Sequence, residues 1–358
     1  MKLSRTAQHA LGTLAAVALL AGCSGTGGSQ SSTPTTGISS ASVAGHGSGI
    51  QSLHRGTYTS LRAPKVHRDT RKSHVSPKAA GLPRILFIAD DGTDDVYMFS
   101  MPAMALMGTL TGFSEPQGMC NDKSGNIWIT NTGTLQILQY SRTGTLLKSL
   151  TDPNGDPVGC AVNKANGDLA VTNIFNTSGD ATVEVYTNAT GTPTAYNNPS
   201  QTENFFDAYD SSGNLYVDGF GDSGFSLSVL PNGSSTMSTI SISGAAIGFP
   251  GGVNWTPATG LVVGDQECTT GSCLDAVSVS GSIGTITGST TLFNYDGGEC
   301  DADQVTVSPQ GKYFAGGSIT ESSKTSSAAN RWAYPAGGTP TNYSINVSEP
   351  IGAAISNK

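Results

Sequence analysis

Gly125-Asn-Ile-Trp-Ile-Thr-Asn131, Gly167-Asp-Leu-Ala-Val-Thr-Asn173, Gly213-Asn-Leu-Tyr-Val-Asp218, Gly260-Leu-Val-Val-Gly-Asp265 and Gly311-Lys-Tyr-Phe-Ala-Gly316 are five versions of one phrase. A turn glycine opens a short strand of aromatic and β-branched residues, and in the first four copies an Asn or Asp closes it. The glycines stand 42, 46, 47 and 51 residues apart. That period exceeds a hairpin and matches a four-stranded blade of a β-propeller, with glycine supplying the positive φ of a tight turn. Upstream of the first four copies another strand begins, at Pro116-Gln-Gly-Met-Cys120, Pro157-Val-Gly-Cys160, Phe205-Phe-Asp-Ala208 and Pro250-Gly-Gly-Val253. Their small residues suit innermost strands, where blades crowd at the axis.

Two fragments stand outside the five copies and complete each other. Arg84-Ile-Leu-Phe-Ile-Ala-Asp90 reads as a second strand with no first strand before it. Glu349-Pro-Ile-Gly-Ala-Ala354 repeats the pattern of Glu115-Pro-Gln-Gly-Met-Cys120 with nothing after it. Joined, they make a sixth blade. The expected fold is all-β, a six-bladed β-propeller over residues 82–358 closed by strands from both ends of the domain, which leaves no open sheet edge at the seam. The last blades drift from the pattern: Gly260 lacks the following Asn or Asp, and Ser318 to Asn330 is a long Ser/Thr insertion.

Composition agrees with strands and turns. Of 358 residues 46 are Gly, and only 12% are charged, which excludes helical bundles and coiled coils rich in Glu, Lys and Leu. The net charge of −8 is unevenly spread: residues 1–81 hold nine Lys or Arg against Asp69 alone, and residues 82–358 hold nine against 25 Asp or Glu. An acidic body repels phosphate backbones, so no nucleic-acid partner is expected.

The first 22 residues read as a signal peptide: Lys2 and Arg5 precede an apolar run from Leu14 to Ala21, too short to span a bilayer. Leu20-Ala21-Gly22-Cys23 resembles the bacterial lipobox, which implies that the Cys23 thiol is acylated and becomes the first mature residue. The expected partner is therefore a membrane, reached through a lipid anchor in the cell envelope. Ser24 implies the outer membrane if the host is Gram-negative. Residues 23–81 hold too few apolar residues for a core and read as a disordered tether, whose run from Arg55 to Lys78 is either a solvated stretch or a contact for anionic lipid or wall polymer.

Ile88-Ala-Asp-Asp-Gly-Thr-Asp-Asp-Val-Tyr-Met-Phe99, together with Pro116-Gln-Gly-Met and Gly125-Asn-Ile-Trp-Ile, resembles the NHL and SMP-30-like six-bladed propellers. Such propellers serve as lactonases, lyases or binding modules, so the fold alone does not name an activity. The leading expectation is a module that binds a small ligand or an envelope protein. The alternative is an SMP-30-like metal-dependent lactonase, a family that holds a divalent ion with Glu, Asn and Asp. The resemblance implies Glu115 or Glu349, Asn254, and Asp301 or Asp303 for those places.

All five histidines, His9, His46, His54, His67 and His74, precede residue 82, so a His base, a Ser-His-Asp triad or His-ligated zinc is not expected in the body. An exported chain permits disulfides. Cys268-Thr-Thr-Gly-Ser-Cys273 closes a short loop and is the favoured bridge, with Cys300 as a rival partner; Cys120 and Cys160 form either a bridge at the axis or two buried thiols. Glu115, Asp156, Glu203, Asp301 and Glu349 mark the entrances of five inner strands. Converging carboxylates would suit Ca²⁺ or another hard cation, and independently solvated turn carboxylates would give the same pattern. Asp90-Asp91-Gly92-Thr93-Asp94-Asp95 is better read as a plain acidic turn.

Overall fold

The structure, a computed structural model, describes residues 71–176, 179–268, 271–319 and 326–358. The expected signal peptide, Cys23 and the expected tether as far as residue 70 lie outside the described residues. Among the described residues there is no α-helix, only short 3-10 turns.

The strands are β1 (His74–Val75), β2 (Arg84–Asp90), β3 (Asp95–Ser100), β4 (Leu106–Leu110), β5 (Pro116–Asn121), β6 (Ile127–Asn131), β7 (Gln136–Tyr140), β8 (Leu146–Thr151), β9 (Gly155–Val162), β10 (Leu169–Asn176), β11 (Thr182–Tyr186) and β12 (Thr194–Tyr196). They continue with β13 (Glu203–Tyr209), β14 (Leu215–Gly221), β15 (Gly224–Leu230), β16 (Ser238–Ser243), β17 (Pro250–Thr256), β18 (Gly260–Cys268), β19 (Gly271–Ser280) and β20 (Ile283–Thr291). The last are β21 (Val305–Val307), β22 (Tyr313–Ser318), β23 (Ala328–Ala333), β24 (Gly337–Ser344) and β25 (Pro350–Asn357).

Consecutive strands pair antiparallel into sheets ordered β5-β6-β7-β8, β9-β10-β11-β12 and β21-β22-β23-β24. An eight-stranded sheet, β13-β14-β15-β16-β20-β19-β18-β17, consists of two such quartets joined by the parallel pair β16 and β20. The first sheet is ordered β1-β4-β3-β2-β25, so the last strand of the chain pairs with the second, from Arg84↔Asn357 to Asp90↔Pro350.

Strand burial explains the apolar runs of the repeat. The second strand of a quartet is covered on both faces, so it reads as a continuous hydrophobic run rather than an alternation. In β2 one face, with Ile85, Phe87 and Ala89, packs with Met119, Ile127 and Ile129 of the next sheet. The other face, with Leu86 and Ile88, packs with Tyr313, Ala315 and Ala329 of the last sheet. Outer strands such as β8 are largely exposed. The turn glycines Gly125, Gly167, Gly213, Gly260 and Gly311 all have positive φ, as the repeat requires.

Innermost strands touch backbone to backbone. A Cβ on Gly118 would meet the Val158 carbonyl, one on Gly159 the Phe205 carbonyl, and one on Gly352 the Gln117 carbonyl. In three repeats the closing Asn or Asp ties the second strand to the first strand or the loop that enters it. Asn131 Oδ1 accepts the Ser114 N–H, Asp218 Oδ1 that of Phe206, and Asp265 Oδ1 those of Gly248 and Phe249.

The structure moves one boundary. Residues 71–81, expected in the tether, belong to the body: His74 and Val75 pair with Thr109 and Gly108 of β4, and Ala79 is buried beside Ile85 and Leu110. Arg71 binds Asp95 through both terminal nitrogens, at 2.8 and 3.0 Å. An added edge strand is held through its backbone, so it needs little apolar sequence and leaves little pattern. His74 is thus a body residue, but it sits exposed on the outermost strand of its sheet.

Candidate functional site

The inner strands β5, β9, β13, β17, β21 and β25 begin at one face, and their far ends surround a cavity of about 380 Å³. Met119, Cys160, Tyr209, Trp255, Thr306 and Ala354 stand for the six strands in its lining. Gln304, just before β21, ties the strands together beside it. Its Nε2 donates to the Met119 carbonyl at 3.0 Å, and its Oε1 accepts the N–H groups of Met119 and Ala353, both at 2.9 Å. One buried amide therefore links three strands that meet nowhere in sequence.

The wall is reinforced covalently where Cys120 of β5 is bonded to Cys160 of β9 across 40 residues of chain. Cys268 is bonded to Cys273, and Cys300 is a buried thiol. Burial and the neighbouring Asp301 push the Cys300 thiol well above the usual thiol range. Asp265 brings a carboxylate oxygen within 4.8 Å of the Cys268 and Cys273 sulfurs, but in the bridged state those sulfurs are not thiolate ligands.

Polar groups around the cavity divide into two kinds. Some are spent on the scaffold: Asn254 Nδ2 donates to Val305 O at 2.8 Å and its Oδ1 accepts the Val307 N–H at 3.1 Å, so its amide bridges β17 to β21. Asp210 accepts the N–H groups of Ser212 and Asn214 in its turn. Others remain at the rim, including the Lys164 ammonium 3.4 Å from Asn121 Oδ1, with Tyr209 and Trp255 offering partly exposed rings. Asp207 of β13 is 5% exposed, and neither carboxyl oxygen has a hydrogen-bond partner among the described residues. Burial raises its carboxyl well above the usual carboxylate range.

The five predicted carboxylates lie toward the opposite ends of the inner strands. Glu115 and Glu349 immediately precede β5 and β25, Glu203 opens β13, Asp156 is the second residue of β9, and Asp301 bridges to Ile319. No three of them bring ligand atoms within 4.8 Å of one another. The Glu115 and Glu349 backbones are held by the acidic turn: Asp94 Oδ1 accepts the Glu115 N–H at 2.7 Å, and Asp90 Oδ1 that of Glu349 at 3.1 Å. For the lactonase set, Asn254 is already occupied by the β21 backbone. The cavity itself was not anticipated. Its sequence signal was Asp207, a carboxylate in Phe205-Phe-Asp-Ala208 where the equivalent strands carry Gly-Met and Gly-Cys.

No family model matches the chain, and no curated protein matches it. Solved structures do. A chain of the nidogen/laminin complex superposes with a TM-score of 0.59 at 13% identity, covering 76% of this chain and 98% of that one. A protein of unknown function from Bacteroides caccae gives 0.58 at 12% identity, covering 77% and 100%. A functionally unknown protein from Desulfotomaculum acetoxidans DSM 771 gives 0.51 at 9% identity, covering 76% and 99%. At such identities the likeness carries the fold alone, and with the sheet order above the class is a β-propeller.

Proposed function

We propose that this chain is a membrane-anchored extracytoplasmic lipoprotein whose body, a six-bladed NHL/SMP-30-like propeller closed by β25 on β2, acts as a ligand- or protein-binding module. The observation that carries binding is the cavity: six strands converge on it, it is mixed apolar and polar, and Tyr209 and Trp255 offer it partly exposed aromatic faces. Acylated Cys23 would hold the module on the bacterial envelope, and the tether would lift it clear of the lipid. No observation favours the lactonase reading, whose Asn candidate serves the scaffold.

The test has two arms. Cys23→Ala should release the protein from membranes on cell fractionation while its thermal transition is unchanged; continued tight attachment would refute the anchor. Thr306→Trp should fill the cavity. Full-length protein and this variant, each used to capture envelope extracts, should differ by the ligand, and identical captures would place binding elsewhere.

A further inference from the structure

Away from the axis, between the β5–β8 and β9–β12 sheets, two carboxyl groups are buried side by side. Asp152, in the loop leading into β9, is 1% exposed, and Glu184, on β11, is fully buried. They lie within hydrogen-bonding reach of each other. Neither is in an ion pair with a basic residue among the described residues, so no described cation balances the charge they would carry together.

The surrounding groups are all oxygen or amide. Asp152 Oδ1 accepts the N–H groups of Asn154 and Gly155, both at 3.0 Å, while its Oδ2 has no donor. The Asn154 amide rests on Glu184 Oε1, and the Tyr186 hydroxyl lies 3.4 Å from Glu184 Oε2 and 3.2 Å from the Thr151 carbonyl. A separate observation points to a missing occupant. Asn173, fully buried at the end of the repeat phrase, lies close to the Asp152 carboxyl; its Nδ2 donates to Thr182 Oγ1 at 3.5 Å, and its Oδ1 has no donor among the described residues. The equivalent oxygen of Asn131 accepts a loop N–H, whereas here Asp152 takes the N–H groups of the loop. Two buried acceptors without donors, next to a second carboxyl and an amide, cost free energy unless a cation or a proton supplies what the protein does not.

We propose that Asp152, Glu184, Asn154 and Asn173 form a site for a hard divalent cation of the Ca²⁺ class. Two carboxylates neutralise a dication, and their oxygens with Asn173 Oδ1 make a hard donor set that favours Ca²⁺ over thiolate- or imidazole-seeking metals, while the Asn154 NH2 group orients Glu184. The bound ion would pin the loop from Asp152 to Asn154 that delivers β9 to the axis. The central cavity plays no part in it, so the site and the binding function above stand or fall separately.

The test uses the full chain, stripped with chelator and then titrated with Ca²⁺ alone. The melting temperature should rise saturably with Ca²⁺. Tb³⁺ should bind in its place, show luminescence sensitised through Tyr186, and be displaced by Ca²⁺. Asp152→Asn combined with Glu184→Gln should abolish both signals. Asn173→Ala, which keeps both carboxyls should the double variant fail to fold, should weaken binding by roughly tenfold or more. Glu115→Gln with Glu349→Gln should leave binding intact. Absence of saturable Ca²⁺ and Tb³⁺ binding would mean that a shared proton fills the site and would overturn the proposal. So would unchanged affinity in Asn173→Ala.

Discussion

Asp90 Oδ1 accepts the backbone N–H of Glu349, 259 residues further along the chain, at 3.1 Å. Its other oxygen accepts the Ser348 N–H at 2.6 Å, and Oδ1 also holds Thr93 N at 3.1 Å. This carboxylate sets the register in which β25 meets β2. Asp90→Ala leaves three backbone donors at the seam without their acceptor and should cost about 2–3 kcal/mol. Deleting Pro350–Lys358 removes Ile351, Ala353, Ala354 and Ile355 from the core and exposes the edge of β2, so stability should fall by at least about 5 kcal/mol. Chemical denaturation measures both, and a truncated body with an unchanged midpoint would refute the role of β25.

The contact of inner strands requires a bare backbone. Any side chain at Gly352 collides with the Gln117 carbonyl, and that atom belongs to a hydrogen-bonded strand that cannot give way. Gly352→Val should cost about 3 kcal/mol or more. Gly288 on β20 has open space around its Cβ direction and no positive φ, so Gly288→Ala should stay within about 0.5 kcal/mol of the parent. Comparable losses in both variants would contradict the crowded axis.

Buried carboxyls make the body more stable in mild acid than at neutral pH. Burial raises the Glu203 carboxyl to about 7, above its unfolded value of 4.5. Below about pH 4.5 the group is protonated in both states and has no effect. Between 4.5 and 7 the unfolded chain gives up the proton while the folded one keeps it, so stability falls as pH rises through that window. The loss from this residue is on the order of 1–3 kcal/mol. Asp207 and Asp218, raised by burial, act in the same direction. Denaturation midpoints at pH 5 and 7.5 should converge partly in Glu203→Gln, and an unaltered pH slope would exclude Glu203 as its source.

Reduction should reveal an order among the cysteines. The Cys120–Cys160 bridge closes a separation of 40 residues and Cys268–Cys273 one of 5, so removal of the first should cost about 4 kcal/mol and of the second about 2 kcal/mol. Thiol titration of the unreduced, folded body should find Cys300 unreactive, because burial keeps it from forming thiolate, and one thiol should appear on unfolding. Equal losses from the two bridges, or a reactive thiol in the native body, would contradict this assignment.

Much of the architecture is written in local chemistry. The turn glycines have to be glycine because their φ is positive, and doubly buried β2 has to be apolar from Ile85 to Ala89 because a sheet covers each face. The likeness of Glu349-Pro-Ile-Gly to Glu115-Pro-Gln-Gly disclosed an inner strand at the far end of the chain, because both must approach a neighbour without a side chain. Residues 71–81 escaped notice because an edge strand held by backbone hydrogen bonds imposes little on side chains.

The sequence by itself determined the all-β class, the repeat and the pairing of its two ends, since each rests on φ preferences and burial periods that act within a few residues. Only the tertiary structure decided where a ligand can sit. Gln304 linking Met119 to Ala353 and the cavity framed by Tyr209 and Trp255 join residues from different sheets, and Asn173 and Glu184, on neighbouring strands, meet Asp152 of the loop before β9. Which acids converge depends on the angle between sheets and the end of the strand, and neither is encoded in any single repeat. The carboxylates that looked alike at Glu115 and Glu349 therefore flank backbone turns, while the buried pair came from an unremarked loop and the third strand of its sheet.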